Sequence, residues 1–519
     1  MTRSGGHPAH LGDLGDPADL ADEKPHPPGD YPVVVVGSGP GGIQASHCLS
    51  SLGIRHALIS ADPAPGGMFR RFPFFQRLLS WTKPYAPHPH HSREYEWYDL
   101  NSLVSDEPRL RAVMPDIMDG SSDFPSRTEM ERGLLTFAQR AGVRVRHGCR
   151  WESTRRDGDG FVLVTSDGEY RCRAAIFAVG VAEPWKPATP GFAAIAHYVD
   201  TRPAATYAGK RLFIVGKQNS AFELATGLLA QASRIVLASP RPVGFSINMH
   251  TLSGVRARYV QPREDANLGN GVFIMDASIE RVEQVGATFQ VHTRDSLTGE
   301  PLVVEADEVI ATTGFQCPLQ DLPSLGVTVF GQSRLPVMTA HFESATVPGL
   351  YFAGTIGQGV PGLRRFGAGS NSGAVHGARY NARLLVRDLA ARHLGLEIIR
   401  PSIAPAELVS YLLDEVSSAP ELWNQQGYLA RAVIRAADGS TRDEGIVPLA
   451  DWVDRSGPDG VAVAVEIDEH GTIRPVAYRR SAGLVNGESP LPSHPLHDFR
   501  TTDHRRLMSE VVSAFAGSP

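Results

Sequence analysis

A strand-like run of four valines meets a glycine-rich turn near the start of the chain. Val33–Val36 is too short to span a membrane and is typical of a buried parallel strand. It continues directly into Gly37, Ser38, Gly39, Pro40, Gly41 and Gly42. In a Gly-x-Gly-x-x-Gly pattern the first glycine allows a tight turn, the second lets the backbone approach a pyrophosphate, and the third lets the next helix pack on the strand. Because a helix N-terminus offers free N–H groups to an anion, this order predicts a dinucleotide-binding domain.

The same order of strand, glycine turn and helix recurs in the middle of the chain. The second turn consists of Gly216, Lys217, Gln218, Asn219 and Ser220. Each copy is followed by a β-rich stretch that ends in an apolar segment and a glycine, and these glycines are Gly180 and Gly314. A third such segment, 349–354, predicts a strand that returns to the first domain. Repetition at this scale predicts two dinucleotide-binding domains.

On these motifs the chain resembles the flavoproteins with two dinucleotide-binding domains, which include flavin-containing and N-hydroxylating monooxygenases and disulfide reductases. In particular it resembles the FAD-dependent oxidoreductase-domain proteins related to the ER flavoprotein associated with degradation. The resemblance covers roughly residues 31–396 and rests on the segments Gly67–Pro73, Asp99–Leu103, Asn219–Glu223, Tyr351–Thr355 and Val375–Tyr380. It implies an α/β fold of two Rossmann-like, three-layer ββα domains, the second inserted in the first, with FAD as a cofactor.

The predicted organisation follows from the repeat and from composition. The first 30 residues are rich in Gly, Pro, Asp and His and lack the shape of a signal peptide, which favours a disordered leader. A segment rich in proline, arginine and aromatic residues interrupts the first domain, and we interpret it as a wall and lid on the substrate side. The predicted units are the leader at 1–30, the FAD-binding domain at 31–200 and 331–396 with its insert at 70–125, the NAD(P)H-binding domain at 201–330, and a small α+β appendage at 397–519.

Composition narrows the possible partners. The net charge of −6 gives no basic surface for nucleic acid or an anionic membrane, and no apolar run approaches the length of a membrane span. The four cysteines form no Cys-x-x-Cys pair, so reduced structural thiols and a cytoplasmic protein are expected, and a disulfide reductase is disfavoured. The run Pro87–His91 has no second ligand set at metal spacing, so no metal site is predicted. The sequence leaves open whether the protein forms a homo-oligomer.

The residues expected to bind FAD extend beyond the first glycine turn. The position that normally holds an acid for the adenosine ribose is Ser60, and Asp62 follows two residues later. Asp62 therefore either binds the ribose or only begins a turn with Pro63. The resemblance implies that Gly67, Met68 and Phe69 lie against the flavin ring. It also implies that a helix begins near the pyrimidine end of the ring, at Gly354 and Thr355.

The second glycine turn departs from the usual pattern. Gln218 replaces the middle glycine, which hinders close approach of a pyrophosphate, and the charge of Lys217 could partly offset this. No acid follows the next strand, at 235–237, but Arg241 does. Since an acid there selects NADH and an arginine suits a 2′-phosphate, we predict NADPH as the second cofactor. The alternative is a degenerate domain that binds no nucleotide.

Three residues are candidates for catalysis through the resemblance. Asn101 matches a polar position that faces the flavin in monooxygenases. Arg364 could bind a carboxylate substrate or the reduced flavin, and His376 follows in the same region; the alternative is that the arginine is only solvated. His197 lies where monooxygenases carry a linker histidine, although the phenylalanine and glycine that precede it there are missing.

The function expected from these motifs is that of an NADPH-dependent flavin monooxygenase. NADPH would reduce FAD, molecular oxygen would form a C4a-hydroperoxide, and one oxygen atom would pass to a small organic substrate. Such a reaction needs neither a metal nor a protein nucleophile. Two alternatives stay open, a flavin dehydrogenase or NAD(P)H oxidase without oxygen insertion, and a flavin-bound interaction module.

Overall fold

The computed structural model of the chain describes residues 24–71, 77–78, 80–243, 271–362 and 370–516, and the side chains up to residue 513. Its strands, in chain order, are β1 Gly29–Val36, β2 His56–Ile59, β3 Trp151–Asp157, β4 Gly160–Thr165, β5 Gly168–Phe177, β6 Glu183–Pro184, β7 Ala196–His197, β8 Arg211–Val215, β9 Arg234–Ser239, β10 Val272–Val285, β11 Thr288–Asp295, β12 Pro301–Ala306, β13 Glu308–Ala311, β14 Phe315–Gln316, β15 Val329–Phe330, β16 Leu335–Pro336, β17 Leu350–Phe352, β18 Leu429–Arg435, β19 Thr441–Pro448, β20 Gly460–Ile467, β21 Ile473–Ser481 and β22 Leu484–Pro490.

The described α-helices are α1 Pro40–Ser51, α2 Arg127–Arg140, α3 Asn219–Leu228, α4 Val375–Leu394, α5 Leu408–Ser418, α6 Pro420–Asn424, α7 Leu449–Asp454 and α8 Thr502–Ala516. Among them, no helix combines the length and the apolar character needed to cross a bilayer.

The first sheet forms the centre of the FAD-binding domain. Its strand order is β2-β1-β5-β4-β3, and β17 pairs with the free side of the end of β5. Strand β5 is antiparallel to β4 in its first half, where buried and exposed residues alternate, and parallel to β1 and β17 at its end, where Ala174–Phe177 are all buried. A strand buried on both faces needs such a continuous apolar run, whereas a strand with one wet face alternates. The sequence of β5 therefore changes from an alternating pattern to a continuous apolar run where the strand becomes buried on both faces.

The second sheet has the order β12-β11-β10-β9-β8-β13-β7. The strands β8, β9 and β13 are parallel, and helix α3 leads from β8 to β9 as in the first domain. A two-stranded link, β6 with β14, connects the chain as it enters and leaves this sheet. The predicted fold class, two Rossmann-like domains with the second inserted in the first, is confirmed.

The C-terminal residues form a five-stranded antiparallel sheet of order β19-β18-β20-β21-β22 with four helices around it. This unit shares one hydrophobic core with the FAD-binding domain, since Leu412 and Val416 of α5 and Val463 of β20 belong to the same cluster as Val33–Val36. The part of the chain that seemed an appendage is thus packed firmly on the first domain.

The predicted disordered leader, residues 1–30, includes residues that are ordered in the structure. Strand β1 begins at Gly29, and residues before it are fixed: the His26 ring lies 3.0 Å from the carbonyl oxygen of Arg144, and the Tyr170 hydroxyl donates to the His26 carbonyl at 2.8 Å. Residues 24–30 of the predicted leader therefore belong to the folded domain. Residues 1–23 of the leader lie outside the described residues.

Candidate active site

The first glycine turn has the geometry that its sequence predicts. Gly37 has φ +107°, and a Cβ atom there would lie 2.6 Å from the carbonyl oxygen of Ala178. A Cβ on Gly42 would lie 1.8 Å from the carbonyl oxygen of Gly37. Side chains are therefore excluded at both positions, one by the turn and one by the packing of α1 on β1. Pro40 begins α1, and its N-cap Gly39 provides no side-chain acceptor for the helix N–H groups.

Two distant segments close around this turn. A Cβ on Gly41 would lie 2.5 Å from the Cα of Gly354, and a Cβ on Gly67 would lie 3.0 Å from the Cα of Gly39. In contrast, the nearest atom to a Cβ on Gly39 itself is the Cα of Gly67, at 3.9 Å. Gly39 therefore faces open space beside uncapped helix N–H groups, which fits the pyrophosphate of a dinucleotide.

The two segments predicted to border the flavin reach this cradle as short turns. Met68 and Phe69 lie in the 3-10 turn Gly67–Arg70, and the Met68 Sδ is 3.6 Å from where a Cβ of Gly180 would stand. Thr355 lies in the 3-10 turn Gly354–Gly359, where the start of a helix was expected. The long helix α4 begins at Val375.

The end of β2 holds the residues considered for the adenosine ribose. Ser60 is buried and accepts a hydrogen bond from the Ser38 hydroxyl at 2.8 Å. The Asp62 carboxylate lies 3.0 Å from the guanidinium of Arg71, and the Asp62 carbonyl accepts from the Gly148 N–H. Asp62 therefore lies near the position expected for the ribose acid, where its carboxylate pairs with Arg71 and its carbonyl oxygen accepts a backbone hydrogen bond. Its binding to a ribose stays a prediction.

Asn101 is directed toward the protein. It is 1% exposed, and its amide nitrogen donates to the Ser80 carbonyl at 3.0 Å and to the Thr82 hydroxyl at 3.0 Å. Its backbone N–H donates to the Asp99 carboxylate at 3.1 Å. The amide hydrogens of Asn101 thus bind other parts of the insert, and its position relative to a flavin stays a prediction.

The other two catalytic candidates are Arg364 and His376. Arg364 lies outside the described residues. His376 lies in the first turn of α4 and is partly buried. Both remain predictions.

A buried arginine that sequence reasoning missed fixes the insert to α4. Arg379 is 1% exposed and donates to the backbone carbonyls of Asp99 at 2.8 Å, Ser102 at 2.7 Å and Glu96 at 2.7 Å. The next residue, Tyr380, donates its hydroxyl to the Glu96 carboxylate at 2.9 Å. These buried hydrogen bonds hold this part of the insert against α4, and its role as a wall or lid stays a prediction. Nothing in the local sequence signals such a partner.

The second glycine turn has the expected backbone, but its lysine is paired with a carboxylate. A Cβ on Gly216 would lie 2.4 Å from the Thr312 hydroxyl, so glycine is required there. Lys217 is 1% exposed and its ammonium forms an ion pair with Asp276 on β10. Exposed Gln218 is the N-cap of α3, without a side-chain hydrogen bond to it. The positive charge expected to face a pyrophosphate is therefore directed to Asp276.

The remaining residues of the NADPH prediction lie around the same strand ends. Asn219 and Ser220 form the first turn of α3. Arg241 is exposed and follows the end of β9, beside the end of β8 that carries the glycine turn. This is the position from which an arginine can reach a 2′-phosphate.

Gly314 and His197 meet at the link between the two domains. The Nε2 of His197 lies 3.1 Å from the Gly314 carbonyl oxygen, and the Val199 N–H points to its Nδ1 at 3.4 Å. Since a carbonyl only accepts, Nε2 carries the hydrogen and the ring is neutral. Burial lowers the pKa of His197, which agrees with a neutral ring. This histidine therefore fixes the link, and no proton transfer is needed for that role.

The four cysteines are free and buried. Burial raises the pKa of Cys48 to about 11 and that of Cys172 and Cys317 to about 12. A thiol with such a pKa stays protonated near neutral pH and is a poor nucleophile. Among the described residues, no group of three or more His, Cys, Asp and Glu side chains is placed to hold a metal ion.

Comparisons with known proteins agree with this geometry. A family model described as pyridine nucleotide-disulphide oxidoreductase matches residues 34–354. The FAD-dependent oxidoreductase domain-containing protein 2 of Danio rerio is 25% identical over 456 residues, which cover 77% of this chain and 64% of that protein. A ferredoxin–NADP reductase of Thermus thermophilus is 26% identical over 330 residues, which cover 62% of this chain and 84% of the reductase.

Solved structures show the same fold. A bacillithiol disulfide reductase from Staphylococcus aureus superposes with a TM-score of 0.55 at 16% identity, covering 70% of this chain and 99% of the reductase. A flavin-containing monooxygenase from Stenotrophomonas maltophilia gives 0.52 at 20% identity, covering 70% of this chain and 98% of the monooxygenase. The resemblance inferred from the motifs is confirmed. The chain spans less than two thirds of the length of the Danio rerio relative and of its Mus musculus counterpart.

Proposed function

Because the chain belongs to the pyridine nucleotide-disulphide oxidoreductase family, we propose that this FAD-dependent oxidoreductase is an NADPH-dependent flavin monooxygenase that acts on a small organic substrate. In this reaction NADPH, a proton, O₂ and the substrate give NADP⁺, water and the oxygenated substrate. FAD, when bound, would supply the electron transfer from the nicotinamide and the reaction with oxygen. The protein would supply binding, orientation and exclusion of water.

The observation that carries this proposal is the combination of an open glycine cradle with buried thiols. Gly39 leaves space for a pyrophosphate beside the start of α1, and Gly41 and Gly67 let Gly354 and the turn at 67–70 close around it. All four cysteines are buried and none is in a disulfide. Electrons from NADPH therefore have no protein dithiol to pass through, so the flavin must reduce an acceptor directly. Oxygen with a small organic molecule is the acceptor pair that we propose.

The chain's residues divide the work. The turn before α1 would hold the FAD pyrophosphate, and the turns at 67–70 and 354–359 would border the flavin end of the same cradle. Arg241, at the exposed end of β9, would select the 2′-phosphate of NADPH. The fixed part of the insert would form one wall of the substrate side and keep water out.

A second function is favoured by the orientation of Asn101. The amide hydrogens of this residue bind Ser80 and Thr82, and so they do not stabilise an oxygen species beside the flavin. An oxidase, in which NADPH, a proton and O₂ give NADP⁺ and H₂O₂, needs no such donor. The same residues would then serve an NAD(P)H oxidase or a dehydrogenase without oxygen insertion.

Anaerobic reduction followed by mixing with oxygen distinguishes these functions. The FAD-loaded protein is reduced with one equivalent of NADPH and mixed with buffer that contains O₂, while the flavin spectrum and released peroxide are recorded. A monooxygenase returns to the oxidised spectrum after a lag, and an accepted substrate lowers peroxide below one per NADPH. Return without a lag, with one peroxide per NADPH for every substrate tried, would establish the oxidase. Failure of NADPH and NADH to reduce the flavin would indicate an interaction module.

A further inference from the structure

A cavity of about 400 Å³ lies away from the glycine cradle. Its walls are the end of α1 from His47 to Leu52, the stretch of α4 from Tyr380 to Arg387, and residues of the C-terminal unit and of the insert. Since α1 rises about 1.5 Å per residue, Cys48 lies roughly 13 Å along the helix from Gly39. The cavity is thus formed on the opposite end of α1 from the predicted FAD site.

Part of the cavity wall is apolar. Leu52, Leu384, Val386 and Ile446 contribute hydrocarbon surface. Cys48 adds a thiol that stays neutral, because burial raises its pKa to about 11. Leu52 is 42% exposed, so the apolar surface extends to the mouth of the cavity. A ligand with a short carbon chain could therefore be bound on this side.

The other part of the wall contains four arginines, of which three have carboxylate partners. Arg93 binds Glu415 at 2.8 Å and Glu421 at 2.9 Å. Arg431 binds the same Glu415 at 2.8 Å and Asp443 at 3.2 Å. The third, Arg383, lies 2.9 Å from Asp106 and 3.5 Å from Glu421. These pairs neutralise one another and form the frame of the cavity.

Arg387 is the exception. Within the described residues no carboxylate oxygen lies within 4.0 Å of its guanidinium, whose bond is to the backbone carbonyl of Glu444 at 3.2 Å. The nearby carboxylates bind other residues. Glu444 forms an ion pair with Arg400 at 2.5 Å, and Asp443 accepts a hydrogen bond from the Tyr411 hydroxyl at 2.8 Å. Burial lowers the pKa of Arg387, the charges of Glu444 and Asp443 raise it, and the cations Arg400 and Arg431 lower it again. A bound carboxylate would add a direct ion pair to this partly buried cation.

We propose that this cavity binds a small organic monocarboxylate, with its carboxylate on Arg387 and its short carbon chain against Leu384 and Ile446. A guanidinium matches a planar carboxylate through two parallel hydrogen bonds. The charge of the site selects a monoanion, because Arg387 has no carboxylate partner among the described residues while Asp106 and Glu421 also line the wall and repel a dianion.

Titration calorimetry of the FAD-loaded protein with sodium butyrate, at constant ionic strength, tests the proposal. Wild-type protein should show saturable binding at one site. Arg387→Gln should weaken it at least tenfold, which corresponds to the loss of a charge-assisted hydrogen bond. Arg150→Gln is the matched control, since Arg150 is 67% exposed and lies outside the cavity wall, and it should leave butyrate affinity unchanged.

A second variant tests the space without changing the charge. Ser51 is exposed at the edge of the cavity, and Ser51→Trp should fill the mouth and weaken butyrate binding at least tenfold with FAD content unchanged. This variant decides the question if Arg387→Gln does not fold. The proposal is overturned if wild-type protein shows no saturable butyrate binding, if neither variant weakens it, or if inorganic phosphate binds as tightly as butyrate.

Discussion

Replacing Gly39 with alanine should separate the binding of FAD from the folding of the chain. Gly39 has φ −75° and ψ −177°, which any residue can adopt, and a Cβ there would meet nothing closer than the Gly67 Cα at 3.9 Å. The protein itself therefore tolerates the methyl group, and the cost to the free energy of unfolding should be about 1 kcal/mol or less, since only the N-cap changes. The same methyl group would occupy space where the backbone approaches a phosphate.

The expected loss in FAD affinity is larger than the loss in stability. If one backbone N–H bond to a phosphate is lost, about 1.5–3 kcal/mol of binding free energy is removed, which is roughly tenfold to hundredfold in Kd. Gly41→Ala is the matched comparison. Its Cβ would stand 2.5 Å from both the Cα and the N of Gly354, so the backbone must shift. Such overpacking costs about 1–3 kcal/mol, and this variant should lose both stability and FAD.

Flavin fluorescence titration of the apoprotein and thermal unfolding of each apo variant measure the two quantities. Gly39→Ala with wild-type FAD affinity would show that the phosphate does not approach this residue. Equal destabilisation of the two apo variants would show that Gly39 is needed for folding alone, and the assignment of the cradle to FAD would lose its main support.

Four further outcomes are expected. Arg241→Ala should weaken NADPH binding about tenfold or more and leave NADH binding unchanged, as measured by nucleotide titration, because only NADPH carries the 2′-phosphate; equal losses would refute the role. Asn101→Ala should lower the free energy of unfolding by about 1–3 kcal/mol in denaturant titration, since buried acceptors of the insert lose their donor; a stable variant with altered oxygen reactivity would restore the catalytic reading. Burial would raise the pKa of Glu421, but the charges of Arg93 and other cations outweigh burial and lower this pKa. The ionised carboxylate therefore stabilises the fold fully at pH values above its ordinary pKa of 4.5, and this stabilisation is lost as the pH falls. Glu421→Gln should therefore flatten the acid side of a stability-versus-pH curve, and an unchanged slope would contradict the ion-pair account. Deletion of residues 85–89 should leave FAD content intact, whereas a deletion that also removes Arg93 should cause unfolding at lower temperature, as measured by thermal denaturation.

The sequence alone determined the parts of this protein that obey local backbone rules. Gly37 and Gly42 could be assigned roles because a tight turn and a close helix contact exclude a side chain whatever surrounds them. The repetition of that pattern at Gly216 predicted a second domain of the same kind, and the apolar segment before Gly354 predicted the strand that returns to the first sheet. In each case the sequence pattern and the backbone feature that it predicts lie within a few residues of each other.

Only the tertiary structure decided where polar side chains point. Asn101 binds other parts of the insert, and Lys217 pairs with Asp276 of another strand. Among the described residues, Arg387 has no carboxylate partner because Glu444 and Asp443 bind other arginines. A hydrogen bond or an ion pair can join any two residues that the fold brings together, and Arg379 and Asp99 are 280 positions apart. A glycine turn is specified by its own backbone, whereas the partner of a charged side chain is specified by the packing of the whole chain.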